Sequence, residues 1–467
     1  MPEPVLVGID LGTSAVKACS WSAATYRTAR RFVGTDSHGD QDPELLWRAV
    51  VECLREVLSG LERAGVRGVG LSGHGPSLVA VGASGRPLSS VVTWMDRRPW
   101  AGSTGPSFEA TAGWLRGRVP EAACLLQPKD YVALRLTGAL CVDTSTASCG
   151  AGEASVSRIE PKQVEPWEAV GGVTRRAAHV TGLPEGAPVA AGGIDAFVEA
   201  LGAGVIEPGI ACDSTGTSTC ISALGSQADP WAVQHVAPGL RLRVEPVTYS
   251  GGSLAWALSV LAPEAGGIDA DWTGLLEDAV FRTRPGAGGV VFIPHMTGAR
   301  SEWQGPGAAG AFVGLRPGHS RWQMLRAVLE GTAFSMKECI QRRGLEVREF
   351  RAVGSGARHD VWLQMKADVL GAPVVRMAIR EGALAGAAIL AGMAAGVFES
   401  AREGVDAMVR AESWFEPSPQ AAGSYLAAYQ GFCEAERALG ALSSGRAGGP
   451  GDGSEPERHS GEAAAWA

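Results

Sequence analysis

The tripeptide Gly-Thr-Ser stands twice in this chain, at Gly12-Thr13-Ser14 and at Gly216-Thr217-Ser218, about 200 residues apart. Each copy interrupts a pair of short strand-like runs. Val5 to Ile9 and Ala15 to Trp21 flank the first; Ile210 to Ser214 and Ser218 to Ala223 flank the second. One tripeptide echo says little. Two copies in two similar hairpins predict two related domains, each presenting one turn of small and hydroxyl residues. A turn of this kind points several backbone N–H groups to one side and makes a concavity for an anion, of which a triphosphate is the obvious candidate. Thr13, Ser14 and Thr217 can add hydroxyl donors, and Lys17 can add a cation. The 467 residues are too many for one compact core, which agrees with two or three domains.

Periodicity places the other elements. Leu46, Val50, Cys53, Leu54, Val57 and Leu61 recur at helical spacing, which predicts an amphipathic helix from about Pro43 to Arg63. Val66 to Ser72 reads as a buried strand, and Ser77 to Val81 with Ser89 to Trp94 as a hairpin around the turn cluster 82–87. Val189 to Gly193 reads as a strand leading to Asp195, followed by an apolar helix to Ala203. Further on, helices are expected at Trp322 to Ile340, Asp360 to Leu370 and Ala383 to Ala395, with a strand at Phe350 to Val353. The domains are expected at 1–199 and 200–442, and the Gly, Ser, Pro, Glu and Arg of 443–467 predict a disordered tail.

Composition removes several classes of function. Net charge is −8 and no basic cluster forms, so no nucleic-acid partner is expected. No apolar run nears the roughly 18–20 residues needed to span a bilayer, and no signal peptide is read at the start, so a cytoplasmic protein without a membrane partner is expected. The nine cysteines are scattered with no Cys-x-x-Cys pair, which suits reduced thiols. Glycine is high at 64 residues; with five lysines against 36 arginines, coding bias accounts for part of that excess. There is no zinc spacing, no Gly-x-Ser-x-Gly elbow and no Gly-x-x-x-x-Gly-Lys-Ser/Thr loop.

The remaining candidates sit at strand ends. Asp10 stands beside the first turn, where a carboxylate next to phosphates needs a cation between them; it is placed to hold Mg²⁺ through water, or else to make an Asx turn. Asp195 follows Gly192-Gly193-Ile194 and can accept the proton of an attacking hydroxyl, or simply cap a helix. His74 and Gly75, in Ser72-Gly73-His74-Gly75-Pro76-Ser77, lie at a strand-to-loop junction and could meet a substrate hydroxyl, with a structural histidine as the alternative. Asp96 and Arg97 could reach substrate or form a solvated charge cluster. Gly354-Ser355-Gly356-Ala357-Arg358 is a strand-to-helix turn whose small residues could admit a planar base or be no more than a tight turn.

Taken together these motifs resemble the FGGY carbohydrate kinase family, which includes xylulose, ribulose, gluconate and glycerol kinases. Gly8-Ile9-Asp10-Leu11-Gly12-Thr13-Ser14 resembles the family's first phosphate motif, and Gly192-Gly193-Ile194-Asp195 its catalytic Gly-Gly-x-Asp. Gly310 to Leu315, continued through Gln323, Ala327 and Glu330, resembles its C-terminal signature, and Gly354 to Arg358 with Trp362 and Asp368 its adenosine segment. The resemblance implies an α/β, actin-like ATPase (ribonuclease-H-like) fold, with two similar domains around a central cleft that holds ATP, Mg²⁺ and sugar. It implies Asp195 as base and Asp10 as the magnesium-side carboxylate. Gly12, Thr13, Gly216 and Thr217 fall at the phosphates, and Gly251, Gly356, Ala357 and Asp360 at the nucleotide. Relatives are often dimers, so a homodimer is open to it.

Departures bear on the substrate. Xylulose kinases show Gly-Gln-Met-His-Gly where this chain has Gly73-His74-Gly75-Pro76-Ser77, and Pro76 and Ser77 replace the Arg-Glu of glycerol kinases. Ala255 stands where glycerol kinases carry a nucleotide-binding Gln. The segment between Arg98 and Lys129 is short, its usual motif reduced to Ala112-Gly113-Trp114-Leu115. The expectation is an ATP-dependent, xylulose kinase-like enzyme acting on a pentulose, pentitol or related polyol. The alternative is a nucleotide-dependent sugar sensor of little or no turnover on the same fold.

Overall fold

The computed structural model describes residues 3–100, 106–156, 158–266, 271–298, 302–304 and 308–444. The chain forms two compact units. The first comprises the residues up to Glu207 with Leu224–Arg243 and Glu381–Arg410; the second comprises Pro208–Ala223, Val244–Arg380 and the described residues from Ala411 onward.

In the first unit β1 (Val5–Leu11), β2 (Ala15–Trp21) and β3 (Tyr26–Phe32) form an antiparallel meander. β4 (Val66–Gly73) pairs parallel to the other side of β1. β5 (Ala169–Gly172) and β6 (Pro188–Ala190) extend the sheet to the order β3-β2-β1-β4-β6-β5, and the short β7 (Gly193–Ile194) also pairs with β4. α1 (Pro43–Val57) lays its apolar stripe on this sheet: Leu46, Val50, Cys53 and Leu54 share a core with Val7, Ile9, Val16 and Ala18. Asp42 starts the helix by accepting from the N–H groups of Glu44 and Leu45. The helix stops at Val57 rather than near Arg63. Gly60, at φ 74°, turns the chain out of the helix before Leu61 can continue the apolar stripe.

The second sheet repeats the pattern. β8 (Ile210–Thr215) and β9 (Thr219–Gly225) are antiparallel, with β10 (Arg241–Thr248) beside β9; β11 (Glu349–Val353) and β12 (Val374–Met377) follow parallel to β8, and β13 (Ala411–Phe415) closes antiparallel. Apart from the short edge strand Val233–Gln234 beside β10, the order β10-β9-β8-β11-β12-β13 therefore matches β3-β2-β1-β4-β6-β5 position by position. The tripeptide echo was a trace of this duplicated sheet. Three helices matter below: α2 (Asp195–Gly202) in the first unit, then α3 (Ser250–Leu261) and α5 (Asp360–Leu370) in the second, with α4 (Arg321–Arg343) between them in sequence.

Two other expectations change. The hairpin read at 77–94 is held by isolated bridges, Leu78 to Val92 and Val81 to Pro87, while the regular partner of Val79–Val81 is Cys124–Leu126. A partner from far along the chain leaves no signal in local alternation. The tail expected from Ser443 lies outside the described residues from 445 on.

Candidate active site

Register brings the first-unit candidates together. Asp10 lies opposite Ser72 in the parallel β1–β4 ladder, and Ser72 lies opposite Gly193 in the β4–β7 ladder. Asp10 and Ser72 therefore share a level with the glycine two residues before Asp195, at the carboxyl ends of adjacent parallel strands, where open α/β sheets present their ligands. Gly192 makes the final step. Its φ is 73°, and a Cβ there would overlap the carbonyl oxygen of Leu71. This glycine turns the chain from β6 into β7 and delivers Asp195 to the first position of α2.

Asp195 is half-buried, and its Oδ1 accepts from the N–H of Ala196 at 2.7 Å. Burial, reinforced by the neighbouring Asp10 carboxylate, pushes its carboxyl up to about 7, against the pull of that N–H and of Lys17. Asp10 is buried, with Ser72 Oγ donating to its Oδ1 at 2.9 Å. Burial also pushes Asp10 upward, although Lys17 and Ser72 act against it. Lys17 is less of a free cation than its position in the sequence suggested: its ammonium donates to Glu381. Burial disfavours that charge, but Glu381 and Asp10 outweigh it and raise the Lys17 ammonium above its ordinary value.

The first turn, at Gly12, Thr13 and Ser14, has every carbonyl taken. Gln41 Nε2 donates to Gly12 O at 3.2 Å and to Thr13 O at 2.6 Å, and the N–H of Val33 donates to Ser14 O at 2.9 Å. Trp94 Nε1 donates to Thr13 Oγ1 at 3.0 Å. With that lone pair used, the Thr13 hydroxyl proton is available to an acceptor such as a phosphate oxygen.

His74 corrects an expectation. It is buried, with Nδ1 2.8 Å from Ser77 Oγ and Nε2 3.0 Å from Gln41 Oε1, so in this arrangement neither nitrogen is left for a substrate hydroxyl. Burial pushes its imidazolium down to about 4, so the ring is neutral at physiological pH. Gly75 lies against the residue before Asp195: a Cβ there would touch Ile194, Phe108 and Gln127 at 3.3–3.4 Å. Asp96 is buried and engaged by Arg98, whose guanidinium also reaches Asp40 at 2.5 Å and lies 5.0 Å over the Trp114 ring. Asp96 thus ties the short helix Phe108–Arg118 to the loop instead of standing free, while Arg97 is exposed.

The second-unit candidates form their own cluster. Thr217 O accepts from the N–H of Gly252 at 2.9 Å, at the start of α3. A Cβ on Gly251 would be driven into the carbonyl oxygen of Gly216, so only glycine lets α3 meet the turn this closely. Thr217 is exposed. Gly356 lies against Thr215 and is buried with Ala357, while Asp360 is exposed and pairs with Arg376. Beneath the turn, Lys366 on α5 donates to Asp213 Oδ2 at 2.6 Å and to Thr215 Oγ1 at 2.7 Å. Thr215 contacts Thr219 at 2.9 Å, and Thr219 donates to Ser250 at 2.7 Å. Asp213 and Lys366, like Gln41 and Trp94, were not singled out from the sequence. Their chemistry depends on partners 28 to 153 residues away.

The C-terminal signature residues are architectural in this setting. Gln323 closes a capping box with Ser320 at the start of α4, and Glu330 accepts from Arg326 at 2.6 Å and from the N–H of Gly286 at 3.0 Å.

Comparison with known proteins gives the family. Residues 5–103 match the N-terminal domain, and residues 212–395 the C-terminal domain, of the FGGY family of carbohydrate kinases. The chain belongs to that family. It is 28% identical to the xylulose kinase of Bacillus subtilis, covering 90% of this chain and 94% of the relative. It is 26% identical to the erythritol kinase of Brucella abortus, covering 88% and 90%. The crystal structure of xylulose kinase from Rhodospirillum rubrum superposes with a TM-score of 0.81 at 26% identity, covering 94% of this chain and all of that one. The fold is the actin-like ATPase fold with two domains, and the protein is a carbohydrate kinase that phosphorylates a sugar. No helix among the described residues is long and apolar enough to cross a membrane.

Proposed function

We propose that this kinase transfers the γ-phosphoryl group of ATP to a hydroxyl of a pentulose, pentitol or related polyol, with Asp195 as general base. The observation that carries this reading is the Asp195 carboxylate, set at a strand end beside Asp10, where burial and that neighbour push it up to about 7. A base is most effective when it titrates near the working pH, and such assistance is worth roughly 10²–10⁴ in rate. Its Oδ1 is occupied by the Ala196 N–H, which leaves Oδ2 to take the substrate proton. The named relatives act on a pentulose and a tetritol, which supports a small polyhydroxylated acceptor.

Mg²⁺ accepts one or two carboxylates and otherwise prefers phosphate oxygens and water. Asp10 fits that role, since Ser72 engages only its Oδ1. Among the described residues no three His, Cys, Asp or Glu side chains cluster into a cage, so the ion would be held through Asp10 and the phosphates. When bound, it would neutralise charge on the transferring phosphoryl group. On the protein side, Thr13 and Ser14 offer donors to phosphate from the first unit, beside Gly12, whose own N–H donates to Ala15 O at 3.0 Å. Gly216, Thr217, Gly251, Gly356, Ala357 and Asp360 are the residues proposed to meet nucleotide in the second.

An ADP-release screen over pentuloses, pentitols and hexuloses tests the reaction. Turnover on one of them is expected, with kcat/KM falling as pH drops below about 7. Asp195→Ala should lower kcat by at least about 10²-fold while ATP still binds; retained turnover would refute the base assignment. Tight sugar binding without ADP above background across the panel would leave a sugar sensor instead.

A further inference from the structure

We propose that Gln41 is the positioning residue of the first phosphate turn, held in place by a closed hydrogen-bond circuit through His74, Ser77 and Trp94. The inference rests on the kinase reading above. Gln41 is fully buried, and both of its amide protons point at successive carbonyls of the turn, Gly12 O and Thr13 O. That orientation turns Oε1 toward His74 Nε2, which must then carry the imidazole proton. Nδ1 is left bare and accepts from Ser77 Oγ. Ser77 Oγ in turn accepts from the N–H of Trp94 at 3.2 Å, and the Trp94 indole returns to Thr13 Oγ1. The circuit starts and ends on Thr13, and every donor and acceptor in it has a single consistent assignment. His74 is also fixed by its backbone, since its N–H donates to Leu11 O at 3.0 Å, at the end of the strand that leads into the turn.

The chemical result is a turn whose carbonyl oxygens all face protein donors. Carbonyls directed at a phosphate would repel it; here they are withheld, and the Thr13 hydroxyl is left to donate. Gln41 therefore acts on the phosphate chain and has no part in reading the adenosine. His74 fixes the amide orientation of Gln41, which accounts for a buried histidine beside the site.

The test compares binding of a magnesium complex of a non-hydrolysable ATP analogue with binding of AMP, by calorimetry, in the full-length protein. Gln41→Leu should weaken the triphosphate about tenfold, the worth of one or two lost hydrogen bonds, and leave AMP unmoved. His74→Leu should reproduce that loss, and His74→Gln, whose amide can serve both Gln41 and Ser77, should restore most of it. If Gln41→Leu does not fold, Trp94→Phe breaks the same circuit at its other end and should show the same selective loss. A triphosphate-to-AMP ratio unchanged from wild type, or equal loss of both ligands, would overturn the inference. If the wild-type protein binds neither nucleotide, the kinase reading falls and takes this inference with it; if wild type binds and the ratio does not move, only the inference falls.

Discussion

The first Gly-Thr-Ser turn rests on neutral groups, an amide, an imidazole, a hydroxyl and an indole, linked around Gln41 and Thr13. The second rests on charge: buried Lys366 and Asp213, joined through Thr215. Both occupy the same position in matching hairpins of matching sheets. The tripeptide therefore specifies the shape of the turn, and its surroundings decide what holds it. In the first unit the support comes from loops beside the turn, at 41, 74 and 94. In the second it comes from the strand itself and from α5, because Asp213 and Thr215 lie two residues apart and so point to the same face of β8. The consequences differ. A neutral network should loosen gradually when one link is cut. A buried ion pair that loses one member leaves an uncompensated charge.

The largest expected effect follows from that contrast. Lys366→Met should lower the unfolding free energy by about 3–5 kcal/mol, because Asp213 is then buried without its partner. Removing both charges together should recover much of the loss. Chemical denaturation of the two variants beside Gln41→Leu measures this; equal destabilisation by Lys366→Met and Gln41→Leu would erase the distinction between the turns. Second, Gly251→Ala forces α3 away from Gly216 and should weaken nucleotide binding about 10²-fold, the scale of an ångström-sized misplacement, by calorimetry. Gly12→Ala meets only Ala15 O, at 2.9 Å, and should cost less. The reverse order would mean that close packing is not what shapes the second turn.

The smallest effect is one of pH. Folded His74 stays neutral down to about 4, whereas an unfolded histidine takes up a proton near 6.5. Between those values the unfolded chain holds the extra proton, so stability rises with pH and is lost on acidification, by at most about 1.4 kcal/mol per pH unit. His74→Gln should flatten that slope in denaturation curves taken from pH 7 to 4. Parallel curves would remove His74 as the acid-sensitive link of the first turn. Asp195 acts in the opposite sense. Its folded value lies above the unfolded one, so its contribution falls as pH rises from about 4 toward 7. Asp195→Asn should therefore raise the melting temperature above pH 7, and an unchanged melting temperature there would remove Asp195 as a buried carboxylate held at a cost to stability.

Much of the site was legible because its residues sit at the ends of elements that local pattern defines. Asp10 closes an apolar strand, Asp195 follows two glycines into a helix, and α5 begins and ends where its spacing predicted. What the sequence left out has one cause. Lys17 reads as a free cation until Glu381, 364 residues away, is seen to engage it. His74 reads as a substrate contact until Gln41 and Ser77 are found on its two nitrogens. Gln41 gave no signal, since an isolated glutamine ahead of a helix is ordinary until its amide is known to face two carbonyls.

Alternation of apolar residues, turn glycines and helical spacing are properties of neighbours along the chain, and from them the sequence alone determined the strands, most helices, the doubled hairpin and the carboxylates at its edges. Partner choice among buried polar groups belongs to the folded molecule. Burial makes each donor find an acceptor, and which one it finds depends on strands and helices that meet only in three dimensions. Only the tertiary structure could decide that one turn stands on an amide and an imidazole and the other on a lysine and an aspartate.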